Sequence, residues 1–528
     1  MKIAVIGAGA AGLTSAKQAL ELGHDAVVFE RHGAIGGIWN PRSGGAYPGV
    51  RMQTSKMSFP FSDFAPQPSM SEFVSVGEMQ SYLIGYASHH GVGPRIRYRN
   101  NVTGVAKADG RWTVRAETPT GRFSDEYDAV MVATGELWCP LMPRLSGSIG
   151  RSRILSAKQY RDPADFRGLK ALVVGGGVSG ADIAAELART AASVDWAVRR
   201  KWLFLPRRCG GMNNDEMFSY AGRRAADELD QSEFLGLLRE VVPEHMEACA
   251  QAGLMPGGDA RNHAVHINDD IVQAVASGAV RLRPAFRGFE TDGSIVFEGG
   301  DRCHYDAIVF CMGYDIPDYN FIQGFRHQDL YEHFLYRRDP SLAIVNTPVD
   351  AEGFGTACPY FEAIAGWVLR TFTGEAALPG ADEMADWCDI HMRSLERKRF
   401  YDCWLETVRL RLASGTMPDP KHRFADYWTI VSSQVVPANL GLGTPRAVSA
   451  PCDERFDMKM LKARILASLP SADLGRLRSD GQIGADDCER ACAMPASMII
   501  SPGLAPRDEP GLPPAVGNPA SLFHAIEQ

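Results

Sequence analysis

The stretch that decides the fold is Lys2-Ile3-Ala4-Val5-Ile6-Gly7-Ala8-Gly9-Ala10-Ala11-Gly12. A short apolar run ends in a Gly-x-Gly-x-x-Gly turn, an alanine-rich segment follows, and Ala26-Val27-Val28-Phe29-Glu30 closes the unit. This reads as strand, tight turn, helix, strand. The first glycine permits the bend, the second lets the backbone approach a pyrophosphate, and the third lets helix and strand pack closely. The helix start then turns its free N–H groups and its positive dipole end toward the phosphate. Glu30 stands 18 residues beyond Gly12, where a carboxylate can accept both ribose hydroxyls. A glycine turn alone is a weak signal; strand, turn, helix and terminal acid together point to a dinucleotide.

The same pattern returns 168 residues later. Ala171-Leu172-Val173-Val174 leads into Gly175-Gly176-Gly177-Val178-Ser179-Gly180, and Val194–Val198 supplies the next strand. Arg199, Arg200 and Lys201 follow, with no acid in the place of Glu30. A carboxylate there selects the free 2′-hydroxyl of NAD, whereas arginine accommodates a 2′-phosphate. The second turn is therefore expected to take NADPH through Gly175, Gly177, Ser179, Gly180, Arg199 and Arg200. Two such units in one chain imply two dinucleotides face to face, an arrangement for electron transfer.

Composition bounds the alternatives. The 528-residue chain is 45% apolar and 22% charged, with a formal net charge of −8. An acidic surface gains nothing from nucleic acid or from anionic membranes, so neither is expected as a partner. No apolar run approaches the roughly 18 residues of a spanning helix. The apolar N-terminus reads as a buried strand rather than a secretory segment, because the glycine turn follows at once. Eleven cysteines include no Cys-x-x-Cys pair, the closest being Cys488 and Cys492. That argues against the dithiol relay of a disulfide reductase, and scattered thiols suit a reducing cytosol. A cytoplasmic protein with no metal site is expected.

Between the two glycine turns, residues 33–70 are rich in Gly, Pro and Ser, as in a ligand-lined surface. Gly36-Gly37-Ile38-Trp39 lies where the chain should pass the pyrophosphate and flavin edge; glycines permit close approach and the indole offers a flat wall. A helix is expected over Val76–His89, strand pieces over Arg95–Val105 and Trp112–Glu117, and a buried strand over Tyr127–Thr134 ending at Gly135. Residues 205–270 read as mostly helical and Val280–Phe297 as short strands. Asp306–Cys311 reads as a buried strand leading into Met312-Gly313-Tyr314. Helical periodicity returns over 360–373 and 382–413. Eight prolines fall in the last 59 residues, so the chain beyond about 470 is expected to be disordered or loosely docked.

Assembled, these pieces resemble the flavin-containing monooxygenases, part of the single-component FAD/NADPH flavoprotein monooxygenases that also include Baeyer–Villiger and N-hydroxylating enzymes. The resemblance runs from about residue 1 to 375. It rests on both glycine turns, Gly36–Trp39, Ser55-Lys56 through Phe61-Ser62-Asp63-Phe64, Val132-Ala133-Thr134-Gly135, Asp306 through Tyr314, and Tyr360-Phe361-Glu362 leading to Trp367. It implies FAD at Gly7, Ala8, Gly9, Ala10, Ala11, Gly12, Glu30, Gly36, Gly37, Ile38, Trp39, Gln53, Thr54, Val102, Gly135 and Gly313, and NADPH at the second turn. It further implies a small-molecule substrate and O2 as partners, and is compatible with a homo-oligomer.

Two departures stand out. The family signature Phe-x-Gly-x-x-x-His-x-x-x-Phe/Tyr meets Tyr160 at its last position, but Ser156 stands at the histidine and Ser152 at the glycine. The family's flavin-side asparagine falls on Gln53, which offers the same amide one methylene further out and is the candidate catalytic residue. The activity implied is oxygenation of nitrogen or sulfur through a C4a-(hydro)peroxyflavin. Baeyer–Villiger oxygenation of a carbonyl and an NADPH oxidase without a stable oxygen adduct are the alternatives. The fold class expected is α/β, with two Rossmann-like dinucleotide-binding domains and a helical C-terminal region. The FAD domain is split in sequence (1–165 and 305–450), the NADPH domain (166–304) is inserted, and a Pro/Ala-rich tail spans 451–528.

Overall fold

The computed structural model describes residues 1–144, 152–257, 265–346, 353–354, 358–392 and 401–504, with backbone only at 353–354 and 401–402. Two parallel sheets organise the chain. The first runs, in spatial order, Leu330–Tyr331, Leu335–Tyr336, Leu342–Ile344, Ala129–Val132, Lys2–Ile6, Asp25–Glu30 and Ile96–Tyr98. Its last five strands are parallel, and the two at the far edge pair antiparallel. The second is wholly parallel, in the order Val280–Arg283, Ser193–Ala197, Lys170–Val174, Ala307–Phe310 and Arg153–Ser156. Strands buried on both faces carry continuous apolar runs, which is why Ile3–Val5, Val130–Val132 and Ala171–Val173 are wholly enclosed.

The helix after each glycine turn, Ala10–Glu21 and Val178–Leu187, packs back on its own sheet through small residues. An antiparallel meander of Asn101–Ala108, Arg111–Thr118 and Gly121–Tyr127 covers the first sheet and accounts for the expected strand pieces. The helix over Val76–His89 has the expected bounds, and its start is closed by a capping box between Ser75 and Glu78.

Three expectations need correction. Two strands of the second sheet, Arg153–Ser156 and Ala307–Phe310, lie outside the 166–304 span assigned to the inserted unit. Both are short, and an edge strand recruited from a linker leaves little mark in composition. The 205–270 region holds the expected helices (Tyr220–Ala226, Gln231–Val241, Pro243–Gln251), but also paired strands at Leu203–Leu205 and Val265–Ile267.

The third concerns the tail. Met458–Leu466, Ser471–Ser479 and Ala485–Cys492 are helices, and Leu474, Leu477, Ile483, Ile500 and Leu504 are buried in one core with Trp404, Val408, Phe424 and Tyr427. Pro470 and Pro495 sit at helix caps, where proline is harmless, so the expectation is overturned for residues up to 504. The remainder of the tail, 505–528, lies outside the described residues. None of the eleven cysteines forms a disulfide among the described residues. No helix among the described residues is long and apolar enough to cross a membrane.

His266 in the second unit is half-buried against the rings of Trp202 and Phe204, 5.2 and 5.8 Å away, and its buried Nε2 finds no partner. Burial pushes its imidazole down to about 4. The unfolded chain takes the proton near 6.5, so this site leaves stability unchanged above that pH and removes it as pH falls. Between pH 7 and 5 the loss from this site is about 2 kcal/mol. Urea unfolding of His266→Phe is expected to show that much less acid destabilisation than the parent; an identical pH slope would refute it.

Candidate functional site

The two glycine turns build two nests of one geometry. Gly7 has φ +115° and Gly175 φ +124°. A Cβ on Gly7 would lie 2.4 Å from the carbonyl oxygen of Ala133, and one on Gly175 2.1 Å from that of Cys311. A Cβ on Gly12 would meet the Gly7 oxygen at 1.9 Å, and one on Gly180 the Gly175 oxygen at 2.0 Å. The neighbouring strand end and the turn thus touch backbone to backbone, leaving the N–H groups at the start of each helix facing outward. That is a cradle suited to a pyrophosphate.

Equivalent hydrogen bonds set the correspondence between the units. The Gly7 N–H donates to Phe29 O at 2.8 Å, and the Gly175 N–H to Ala197 O at 3.0 Å. Glu30 is therefore matched by Val198. Glu30 is buried; its Oε2 accepts the Ala8 N–H at 2.8 Å and its Oε1 the His32 N–H at 2.7 Å. A carboxylate has about four acceptor positions, so two remain for a ribose diol.

At the second nest Val198 brings only its methyl, which would stand 2.8 Å from a Cβ on Gly176. The next residue, Arg199, is exposed, and its side chain makes no ion pair or hydrogen bond among the described residues; Arg200 beside it is half-buried. One nest ends in an acid suited to hydroxyls, the other in a cation suited to a phosphate.

Around the first nest the other expected residues gather. Gly36 donates its N–H to Ala8 O at 3.0 Å, and a Cβ on Gly37 would stand 3.1 Å from Gly9 Cα, so the two loops lie on each other with no side chain between. Trp39 packs half-buried beside them. Asn100 donates its N–H to Glu30 O at 2.9 Å, which brings Val102, two residues on, to the ribose end of the nest. Gly135, at φ +72°, donates its N–H to Asn346 Oδ1 at 3.0 Å. Gly313 belongs instead to the link between the sheets, where its oxygen accepts the Leu141 N–H at 2.9 Å. Gln53 and Thr54 are half-buried on the loop below, and the Gln53 Nε2 is a buried donor with no partner. Buried donors are seldom left so, and this one fits a group that a bound flavin would present.

The altered signature has a structural counterpart. Ser156 ends the edge strand opposite Phe310 and forms a cap with Gln159, whose Oε1 accepts its N–H at 2.9 Å and its hydroxyl at 3.1 Å. Ser152 donates to Tyr305 O at 2.7 Å. Tyr160 is fully buried; its hydroxyl donates to Glu186 Oε2 at 2.8 Å, and its ring meets Tyr47 edge-on at 5.3 Å. One helical turn before Glu186, burial pushes Asp182 up to about 6, and its Oδ1 accepts from Asn268 Nδ2 at 2.5 Å. An aromatic and carboxylate contact thus joins the linker, the second nest and the first unit's loop, with no histidine at that point.

Sequence reading did not find Tyr47, Asn346, Trp138 or Asn213–Asp215. Trp138 lies between Arg31 and Lys158, whose cations stand 4.2 and 4.3 Å from its ring. The run Asn213-Asn214-Asp215-Glu216 is legible as a helix start, but not its target across the domain boundary.

Comparison with known proteins agrees with this geometry. The model of a family described as flavin-binding monooxygenase-like matches residues 1–412. Flavin-containing monooxygenase 5 of Rattus norvegicus is 29% identical over 433 residues, spanning 77% of this chain and 80% of that protein. Among solved structures, S-allyl-L-cysteine S-oxygenase from Allium sativum superposes with a TM-score of 0.55 at 21% identity, covering 74% of this chain and 81% of its own. An ε-caprolactone-bound cyclohexanone monooxygenase gives a TM-score of 0.59 at 18% identity, covering 78% and 98%.

The nests make separable predictions. Glu30→Gln is expected to weaken FAD binding about tenfold to a hundredfold, the worth of a charge-assisted hydrogen bond. Gly180→Val is expected to abolish NADPH binding and leave FAD bound. Calorimetric titration of each variant checks both, and joint loss of the two ligands in Gly180→Val would contradict the assignment.

Proposed function

The chain belongs to the flavin-binding monooxygenase-like family, and from that premise we propose that it transfers one oxygen atom from O2 to a nitrogen or sulfur centre of a small molecule. FAD and NADPH are the cofactors of this enzyme; when bound they supply the hydride and the activation of oxygen. What remains for the chain is to hold both, aim them at each other and keep water out.

The first nest takes FAD, with the N–H groups after Gly7 on the pyrophosphate, Glu30 on the ribose and Gly36-Gly37-Ile38-Trp39 along the flavin side. The second takes NADPH, with Gly175, Gly177, Ser179 and Gly180 at the pyrophosphate and Arg199 and Arg200 at the 2′-phosphate. Arginine serves because its planar fork matches phosphate oxygens.

The observation that carries the choice of reaction is the Gln53 amide, a buried donor without a partner. It is neutral. Attack on a carbonyl requires a nucleophilic, anionic oxygen, which a nearby cation would favour. Transfer to a soft lone pair requires a protonated, electrophilic oxygen, and a neutral donor supports that state without removing its proton.

Product analysis with N,N-dimethylaniline, an aryl methyl sulfide and a cyclic ketone tests the proposal. The expected result is N-oxide or sulfoxide with about one NADPH consumed per product. Lactone alone, or peroxide matching all NADPH with every substrate, would overturn it. Arg199→Ala with Arg200→Ala is expected to raise the KM for NADPH about tenfold or more, as loss of a charge-assisted phosphate contact predicts, and to leave that for NADH unchanged. Equal effects on both cofactors would contradict the assignment.

A further inference from the structure

Three consecutive residues of the second unit reach the first, two of them into the loop that carries Gln53. They sit at the end of a small hairpin, Arg208–Cys209 with Met212–Asn213, which continues into a tight turn over Asn214–Glu216. Asn213 Nδ2 donates to Glu72 Oε1 at 2.6 Å. Asn214 Nδ2 donates to the Gln53 carbonyl and to Arg207 O, both at 3.2 Å. Asp215 Oδ2 accepts the Ser55 N–H at 2.8 Å, the Ser55 hydroxyl at 3.1 Å and the Ser58 hydroxyl.

The loop needs these contacts. It has no regular secondary structure from Arg51 to Ser58, and its own unit clamps it at two backbone points, Met52 N–H to Val74 O at 3.0 Å and Lys56 N–H to Glu72 O at 2.7 Å. Between those clamps lie Gln53, Thr54 and Ser55; besides local turn bonds that Ser55 accepts from the N–H groups of Met57, Ser58 and Phe59, the hydrogen bonds to Gln53 and Ser55 come from Asn214 and Asp215. Ser55 and Ser58 are buried, and the second carboxylate oxygen, Asp215 Oδ1, is buried without a partner. Burying a carboxylate in this way is costly, so a purely packing role would be served as well by a neutral side chain.

We propose that Asp215 is a positioning residue for the oxygen chemistry: it locks Ser55 and Ser58, and so keeps the Gln53 amide aimed at the reacting oxygen only while the NADPH unit is docked. The inference rests on the reading of Gln53 given above. It makes retention of activated oxygen depend on contact between the two units, through a carboxylate delivered by the one that binds NADPH.

The test uses the full-length, FAD-loaded protein and needs no known substrate. Hydrogen exchange is followed at the Ser55 amide, and peroxide release per NADPH is measured without substrate. In Asp215→Ala the Ser55 amide is expected to exchange about tenfold faster or more, as loss of a hydrogen bond to a charged acceptor implies. Substrate-free peroxide release is expected to rise by a similar factor, with flavin content and the KM for NADPH unchanged. Asp215→Asn keeps an acceptor oxygen and is expected to restore most of both. Ser58→Ala, a milder change, is expected to lie between, and supplies the same readouts if the alanine variant folds poorly. Gln53→Ala is expected to release peroxide quickly without altering Ser55 exchange.

Wild-type peroxide release in Asp215→Ala beside fast release in Gln53→Ala would overturn this inference alone. Wild-type release in Gln53→Ala would overturn the reading of Gln53 and this inference with it. Unchanged Ser55 exchange in Asp215→Ala would show that the anchoring contact is not made.

Discussion

Backbone touching backbone at two points is the constraint on which this molecule depends. At Gly7 against Ala133 and at Gly175 against Cys311, no side-chain atom fits between the turn and the neighbouring strand end. That contact brings the start of a helix to the edge of a parallel sheet, where its unsatisfied N–H groups face an open crevice. What distinguishes the two crevices is added afterwards, by the loops around them and by the side chain at the end of the next strand. Glu30 and Val198 occupy one structural position, which carries an acid in one unit and, in the other, a methyl with arginine following.

The second theme is coupling. Two dinucleotide units on one chain are useful only if they meet in a fixed relation, and the contacts that fix it are polar and buried. Tyr160 bonds Glu186 on the second nest's helix while its ring lies against Tyr47 of the first unit. Asp215 gathers Ser55 and Ser58. Behind the first nest, Glu362 accepts the Ser62 N–H and the Arg411 guanidinium, each at 2.9 Å, which ties the C-terminal helices to the same loop region. Breaking a buried pair of that kind costs about 3–5 kcal/mol, because the remaining charge has no water to turn to. The helix carrying Arg411 thereby braces Ser62, four residues beyond the loop that carries Gln53, although it lies far from it in sequence.

Local pattern carried most of the fold. Both glycine turns, their strands and helices, and the Val76–His89 helix follow from short-range rules, since periodicity and glycine stereochemistry are decided within a few residues. The first nest was legible for the same reason: Glu30 lies at a fixed offset from Gly12. Legibility failed where the deciding partner is remote. Ser156 was visible as a missing histidine, but the use of Tyr160 on Glu186 was not. Asp215 carried no local signal of its contacts, because its targets, Ser55 and Ser58, lie 157–160 residues away. Composition misled over residues 471–504, because it counts prolines without saying that Pro470 starts a helix whose Leu474 and Leu477 share a core with Trp404 and Tyr427.

The claim at the centre is that a flavin and a nicotinamide are held edge to edge in this one polypeptide. Anaerobic mixing of the FAD-loaded protein with NADPH in a stopped-flow spectrophotometer tests it most directly. The account predicts loss of the flavin's visible absorbance with one NADPH consumed per flavin, much faster than with NADH. A chain that binds no FAD, or bound FAD that keeps its colour through many turnover times in excess NADPH, would contradict it.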